Sequence, residues 1–291
     1  MRPDGSADSP AAPQIVCPTC GYDQRGISSE RCPECGTRID RESLAVSRIP
    51  WEHRRMMGRV RAYRRTLWRV MADAKAIGSE AARPVSYDAA QRFRWVTVIL
   101  VFLAIALATT LSLAVQSASD REQAIKEFAG EFPVPTELRP WMMPLAFAGF
   151  FLALVVATGV PSYFFHPRAL PVEQQNRAIA LSYYGSAMLA WIALPVVLLW
   201  AGLVLYPLLD EITQRNLLSA SVAAFLSMEI AIILFTLAWW WKLIVLLRVT
   251  TRCGLGRAVL LGLTMVACVP LGVAIVFALP SVVGYVMVLL R

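Results

Sequence analysis

From residue 95 to the end of the chain, apolar residues occur in five long stretches that polar loops separate. Each stretch is long enough for a helix to cross ~30 Å of hydrocarbon, so the pattern predicts five membrane-spanning helices. Their approximate bounds are residues 95–115, 142–165, 180–207, 217–241 and 258–290. The last stretch contains Pro270 and Pro280, which we expect to kink one span because it is too short for two.

A different period governs the segment that precedes the first span. Apolar residues recur there at alternating steps of four and three, the spacing of one helical face: Met56, Val60, Tyr63, Leu67, Val70, Ala74 and Ile77. Arginines fill other positions of the segment: Arg54, Arg55, Arg59, Arg61, Arg64, Arg65 and Arg69. We therefore predict a basic amphipathic helix over residues 48–82. It would lie on the anionic surface of the lipid bilayer or pair with a second copy into a homo-oligomer.

Four cysteines near the start of the chain form two copies of one five-residue unit, Cys17-Pro-Thr-Cys20-Gly and Cys32-Pro-Glu-Cys35-Gly. Each Cys-x-x-Cys turn can bring two thiolates to one metal ion, and the following glycine lets the backbone curl. Two such turns predict a structural zinc site with no open position for water, within a ribbon over residues 15–40. A redox dithiol pair and an iron site are the alternatives.

The composition agrees with a membrane protein, with 57% hydrophobic residues, 16% charged residues and a mean hydropathy of +0.55. The net charge of +8 is concentrated, since residues 41–94 carry 13 Lys/Arg and 5 Asp/Glu. Loops dense in Lys/Arg alternate with sparser ones, which places the N-terminus in the cytoplasm and Arg291 outside. We expect a bacterial cytoplasmic (inner) membrane. Residues 1–14 are polar and are predicted to be a disordered lead-in.

Glu229 lies near the middle of the fourth predicted span, where an ionised carboxylate is costly. It would act in a proton, cation or solute pathway, or be a protonated carboxyl that bonds Ser186 or Tyr184 of a neighbouring helix. Neither His53 nor His166 has a second ligand at a metal-binding spacing. The chain also lacks the phosphate-loop, zinc-protease and nucleophile-elbow motifs, so we do not expect an enzyme.

Residues ~85–291 resemble the Yip family, the Ypt-interacting-protein-like integral membrane proteins. The resemblance rests on the following features: Tyr184-Gly185-Ser186 with Pro195 after it, Trp239–Trp241, the amphipathic Lys242–Thr251 segment, and Gly254-x-Gly256-Arg257-Ala258. It implies a five-span domain with a cytoplasmic N-terminal region and a noncatalytic, organising function. The Asp-Leu-x-Gly-Pro motif of eukaryotic members is absent here, so their GTPase binding is not implied.

The stretch Cys20-Gly-Tyr-Asp-Gln-Arg-Gly26 is similar to a short zinc ribbon that occurs at the N-terminus of many uncharacterised bacterial proteins. This resemblance implies metal binding without implying a reaction.

Together these features predict an all-α membrane protein: a five-helix transmembrane bundle over residues 85–291, preceded by a small zinc ribbon and a basic amphipathic helix. We interpret it as a noncatalytic membrane scaffold or adaptor that displays the ribbon to a cytoplasmic protein partner. One alternative is a small-solute or ion transporter that uses Glu229, and another is a membrane-tethered nucleic-acid-binding regulator. Over residues 17–38 three arginines balance three acids and Tyr22 is the only aromatic residue, which disfavours nucleic acid.

Overall fold

The structure is a computed structural model that describes residues 15–127, 142–165, 172–210 and 234–249, with five further positions between 256 and 264. Up to residue 210 it contains eight α-helices: α1 (Arg41–Ala45), α2 (Arg54–Met57), α3 (Arg59–Ala72), α4 (Ala74–Gly78), α5 (Tyr87–Glu127), α6 (Met142–Phe164), α7 (Val172–Tyr184) and α8 (Ala187–Asp210). Two 3-10 turns accompany them, Pro50–His53 and Ser79–Ala82, and residues 234–249 are also helical. Across these described ranges, β structure is limited to two isolated bridges.

Among the described helices, α5 contacts α6, α7 and α8. Phe93 of α5 is fully buried, and its ring centroid lies 5.2 Å from that of Tyr184 in α7. The same ring lies 5.5 Å from Trp51 and 5.2 Å from Tyr63, both of which precede the bundle in sequence. One aromatic cluster therefore joins the bundle to the short helices before it.

Residues 41–86 form what we call the helical cap, which packs on one end of the bundle. The Trp51 indole Nε1 donates a 2.8 Å hydrogen bond to the carbonyl of Ala89 in α5. Lys242 Nζ donates to the carbonyl of Val70 at 3.3 Å, so the helical segment 234–249 reaches the same cap. The cap is thus fixed to two separate elements of the bundle.

The segment predicted as one basic helix over residues 48–82 is divided in the structure. Gly58 has a φ of +86°, which separates α2 from α3 because L-residues with a Cβ rarely adopt that conformation. Asp73 is extended, and its carboxylate accepts from the backbone amides of Lys75 and Ala76, so it caps α4 as a new helix. The apolar period continues through both breaks, which is why the sequence pattern concealed them.

The buried face of α3 is also rotated from the predicted one. Val70 of the predicted face is buried, and Tyr63 and Leu67 pack against the core. Ala62 and Thr66, which lie outside that face, are also buried, whereas Met56 and Val60 of the predicted face are 82% and 83% exposed. Thr66 Oγ1 donates to the Ala62 carbonyl and accepts a 3.0 Å bond from the Trp51 amide. Because Ala62 and Thr66 have small side chains, the backbone of α3 lies close to the Pro50–His53 turn at these two residues.

Three described helices are long and apolar enough to cross a membrane, over Tyr87–Leu111, Pro144–Phe164 and Val172–Leu198. They support an integral membrane protein and correspond to the first three predicted spans. Helix α6 matches its predicted bounds. The third predicted span differs, because the chain turns at Gly185–Ser186 between α7 and α8.

The remaining predicted spans are largely beyond the described residues. The fourth is described only from residue 234, and the fifth only at scattered positions. Residues 1–14 and Glu229 lie outside the described ranges as well.

Candidate metal centre

Two short turns bring the four cysteines of the N-terminal module (residues 15–40) together. In the first turn the Cys17 amide donates to the Tyr22 carbonyl at 2.9 Å, and the Gly21 amide donates to the Cys17 carbonyl at 2.9 Å. Gly21 has a φ of +75°, the left-handed conformation that curls the chain after the second cysteine.

The second turn repeats this geometry fifteen residues later. The Cys32 amide donates to the Thr37 carbonyl at 2.9 Å, and the Gly36 amide donates to the Cys32 carbonyl at 2.8 Å. Gly36 has a φ of +70°. The equivalence of the two sequence units therefore extends to their backbone hydrogen bonds, as the repeated Cys-x-x-Cys-Gly pattern predicts.

The four sulfur atoms all lie within 4.8 Å of one another. Two of the separations join the turns: Cys17 Sγ to Cys35 Sγ is 3.6 Å, and Cys20 Sγ to Cys32 Sγ is 3.4 Å. The cysteines are free, and a tetrahedron with Zn–S bonds of about 2.3 Å requires S···S distances of about 3.8 Å. The cluster can therefore hold one metal ion with little rearrangement.

Polar groups around the cluster suit sulfur atoms that carry negative charge. Gln24 is buried, and its Nε2 donates to Cys32 Sγ at 3.4 Å. The Cys35 thiol donates to Thr37 Oγ1 at 3.2 Å, and hydrogen bonding with Thr37 lowers the pKa of the Cys35 thiol to about 6, whereas burial raises the pKa of the Cys20 thiol to about 12. Such outer contacts orient ligand atoms and favour the thiolate that binds metal.

The module is packed on the helical cap through a small apolar core. Val16 and Ile39 of the module are buried with Leu44 of α1 and Ala82 of the cap. Within the cap, Arg83 Nε donates a 2.8 Å hydrogen bond to the Ser43 carbonyl of α1. The module is therefore held against the cap by apolar contacts.

The module also reaches the start of α7. Gln174 Nε2 donates to the carbonyl of Gly21, in the first cysteine turn, at 3.3 Å. On its other side the module is open, because Pro18, Thr19, Pro33 and Glu34 at the tips of the two turns are exposed.

The seven arginines predicted to face the membrane surface fall into two groups. Five of them are exposed: Arg55, Arg59, Arg61, Arg64 and Arg65. Arg54 instead lies over the Trp51 ring at 5.4 Å, and Arg69 contacts Glu80 at 3.6 Å. Five of the seven are therefore available to a surface, and two hold the cap together.

The exposed arginines of α3 lie beside an exposed tryptophan. Arg61, Arg64 and Arg65 share the helix face opposite Thr66 with Trp68, which is 58% exposed. The Trp68 ring packs edge-on against Trp191 of α8 at 4.8 Å. Because Trp191 belongs to a candidate span, this contact brings α3 beside a helix that is apolar enough to cross a membrane.

Sequence reasoning missed a buried arginine in the first span. Arg94 is 9% exposed, and its Nε donates to Thr158 Oγ1 at 2.9 Å while Nη2 donates to the Val155 carbonyl at 2.7 Å. Its guanidinium also lies 5.1 Å from the Tyr183 ring centroid. The only indication in the sequence was the position of Arg94 directly before Trp95, where the first predicted span begins. We assigned Arg94 to the basic segment 41–94.

Two carboxylates of the cap were missed as well. Glu80 is fully buried and accepts from the Arg83 guanidinium at 2.5 Å and from the Arg48 amide at 2.8 Å. Glu52 accepts from the Tyr184 hydroxyl at 2.6 Å, and burial raises the pKa of the Glu52 carboxyl.

Both residues suggested as partners of Glu229 have other partners in the structure. Besides the Tyr184 bond to Glu52, Ser186 Oγ donates to the Tyr183 carbonyl at 2.6 Å. His53 Nε2 donates to the Ser47 carbonyl at 2.6 Å, so that ring has a role in the local structure of the cap.

Comparison of the chain with protein-family models, with curated proteins and with solved structures finds no match.

Proposed function

We propose that this protein is a noncatalytic integral membrane scaffold or adaptor, whose zinc-loaded N-terminal module binds a cytoplasmic protein partner. The observation that carries the proposal is the cysteine cluster, in which four sulfurs lie within 4.8 Å while the tips of both turns remain exposed. Four thiolates fill the coordination sphere of Zn²⁺ and leave no position for a reacting water. The metal would then stabilise a contact surface.

Zinc is favoured by the donor set. Thiolates in a tetrahedral S₄ arrangement are typical of zinc and of iron–sulfur centres, and paired Cys-x-x-Cys turns are the usual structural zinc ligands. The charges over residues 17–38 balance, which suits a protein partner better than the phosphates of nucleic acid.

Attachment of the module to the bundle supports an adaptor. The apolar core around Ala82 and the Gln174 bond to Gly21 would hold the module at a fixed position beside the membrane. We propose that this side of the bundle faces the cytoplasm at a bacterial inner membrane, because the Lys/Arg-rich segments of the chain lie on this side. The five-span architecture of the Yip-like resemblance belongs to the same proposal.

Lipid contact through α3 is the second part of the proposal. Arg61, Arg64 and Arg65 would contact anionic headgroups while Trp68 lies at the interface, since basic residues and tryptophan favour that layer. The exposed side of α3 would therefore keep the cap close to the bilayer.

The test is cross-linked affinity capture of the full-length protein from its native membrane, with Cys17→Ser/Cys35→Ser as the metal-free variant. The matched control is Cys253→Ser/Cys268→Ser, which replaces two cysteines outside the cluster. We expect one set of partners with the wild type and the control, and its loss with the metal-free variant. Capture of the same proteins by all three, or of none by the wild type, would contradict the proposal.

A further inference from the structure

An open groove of about 560 Å³ lies where α4 of the cap meets the helical segment 234–249. Its apolar lining includes Trp241, Ile244 and Val245. Two cationic side chains complete it, Lys75 from α4 and Arg248 from the helical segment. The described residues that line the groove include no carboxylate.

The lining residues of the helical segment form one continuous face. Trp241, Val245 and Arg248 are spaced by four and three residues, so they lie above one another along the helix. The rise from Trp241 to Arg248 is about 10 Å, because each residue of an α-helix adds about 1.5 Å. A large apolar side chain and a cation therefore lie at the two ends of one helix face, as the acyl chain and the phosphate of a lipid require.

The same face continues away from the cap as an exposed apolar stripe. Leu234, Leu237 and Trp241 are 60%, 49% and 68% exposed and follow one another at the same helical spacing. An acyl chain lying on this stripe would lead directly into the groove. A phospholipid has both an acyl chain and a charged headgroup. A site for one therefore needs an apolar surface that continues into a cationic groove, as this stripe does.

The groove lies at the junction of cap and bundle. Lys242, next to Trp241, bonds the Val70 carbonyl of α3. Gly78 of α4 packs directly against Val249, since a Cβ added at Gly78 would lie 2.7 Å from Val249 Cγ1. These contacts fix α4 beside the helix and set the width of the groove.

We propose that this groove binds one anionic phospholipid, with its phosphate between Lys75 and Arg248 and an acyl chain along Trp241 and Leu237. Both cations are exposed, and within the described residues neither forms an ion pair with a carboxylate. A zwitterionic lipid would bring a cationic group to the same pair of cations, so the site selects net negative charge. The lipid would connect α4 to the bundle at a place separate from the arginines of α3.

The test is native mass spectrometry of the purified full-length protein titrated with phosphatidylglycerol or with phosphatidylcholine. We expect one phosphatidylglycerol to be retained per chain in preference to phosphatidylcholine. Lys75→Ala/Arg248→Ala should weaken phosphatidylglycerol binding by about 25-fold, because each cation near the surface is worth about fivefold. Val245→Trp should also weaken it, by filling the groove without changing the charge.

The matched control is Arg31→Ala/Arg38→Ala, which removes the same charge from exposed positions of the N-terminal module. Equal affinity of the wild type and Lys75→Ala/Arg248→Ala would overturn the proposal, as would an equal loss in the control. Equal retention of the two lipids, or unchanged binding by Val245→Trp, would also overturn it. Zinc content and partner capture are expected to be unchanged in Lys75→Ala/Arg248→Ala, so this test is independent of the proposed adaptor function.

Discussion

At the scale of single residues, Glu80 holds the cap together. Both of its carboxylate oxygens are used, one by the Arg83 guanidinium and the other by the Arg48 amide, and Arg69 lies 3.6 Å away. Glu80 is fully buried and Arg83 is 6% exposed, so each group depends on the other for compensation of its charge. A buried pair of this kind is costly to break, because the remaining charge is left without a partner in a site that excludes water.

Glu80→Gln should destabilise the folded protein by about 3 kcal/mol. The glutamine amide has one acceptor oxygen, whereas Arg83 and the Arg48 amide use two in the carboxylate, and Arg83 would also lose its counter-charge. Thermal unfolding of the detergent-solubilised protein measures this as a lower Tm. Glu42→Gln is the control, because it makes the same change at an exposed position of α1 and should leave the Tm unchanged. Equal Tm values for Glu80→Gln and the wild type would contradict the role assigned to Glu80.

At the scale of helices, α4 depends on a close approach to the helical segment 234–249. Gly78 has no side chain, and the space that a Cβ would need is taken by Val249 Cγ1 at 2.7 Å and Val249 Cβ at 2.9 Å. The tight contact follows Asp73, whose cap starts α4 in a new direction.

Gly78→Ala should therefore cost about 1–3 kcal/mol of stability through overpacking. Val249→Ala removes the nearer of the two colliding atoms, so the cost of Gly78→Ala should be smaller in that background. The comparison of Tm values in this double-mutant cycle measures the coupling. Gly256→Ala is the control, since a Cβ there meets nothing within 4 Å and alanine favours a helix. Additive effects of the Gly78 and Val249 changes would contradict the packing.

The helices also show which features local sequence determines. The cysteine cluster was predicted because its four ligands and its glycines lie within 20 consecutive residues. Helix α6 was predicted with its bounds because polar loops flank one apolar run. The breaks at Gly58 and Asp73 were not predicted, since the apolar period continues across them.

The contacts of Arg94 and Glu80 were beyond sequence reasoning for a different reason. Arg94 is 64 residues from Thr158, and Glu80 is 32 residues from Arg48. A pattern within one helix carries no information about partners so far away. The sequence therefore shows where charge lies along the chain, and the packing decides which charges are buried and paired.

At the scale of the whole molecule, a small module with four cysteines that could hold a metal ion is attached to one end of a helical bundle. The module alone has few buried apolar residues, so metal binding would supply most of its folding free energy. The module contacts the cap at Ala82 and accepts a hydrogen bond from Gln174 of α7. A folded module would therefore help to hold the cap and α7 in position. Loss of the metal is expected to remove the presented surface while the helical bundle remains.

Sulfur-ligated zinc at the cysteine cluster can be measured on the full-length protein. Elemental analysis with X-ray absorption at the zinc edge should give one zinc per chain, bound by four sulfur atoms at about 2.3 Å. Cys17→Ser/Cys35→Ser should lose the metal, and Cys253→Ser/Cys268→Ser should retain it. The proposed zinc site would be contradicted if protein isolated under reducing conditions contained no zinc, contained iron in its place, or bound the metal through a mixed oxygen and nitrogen shell.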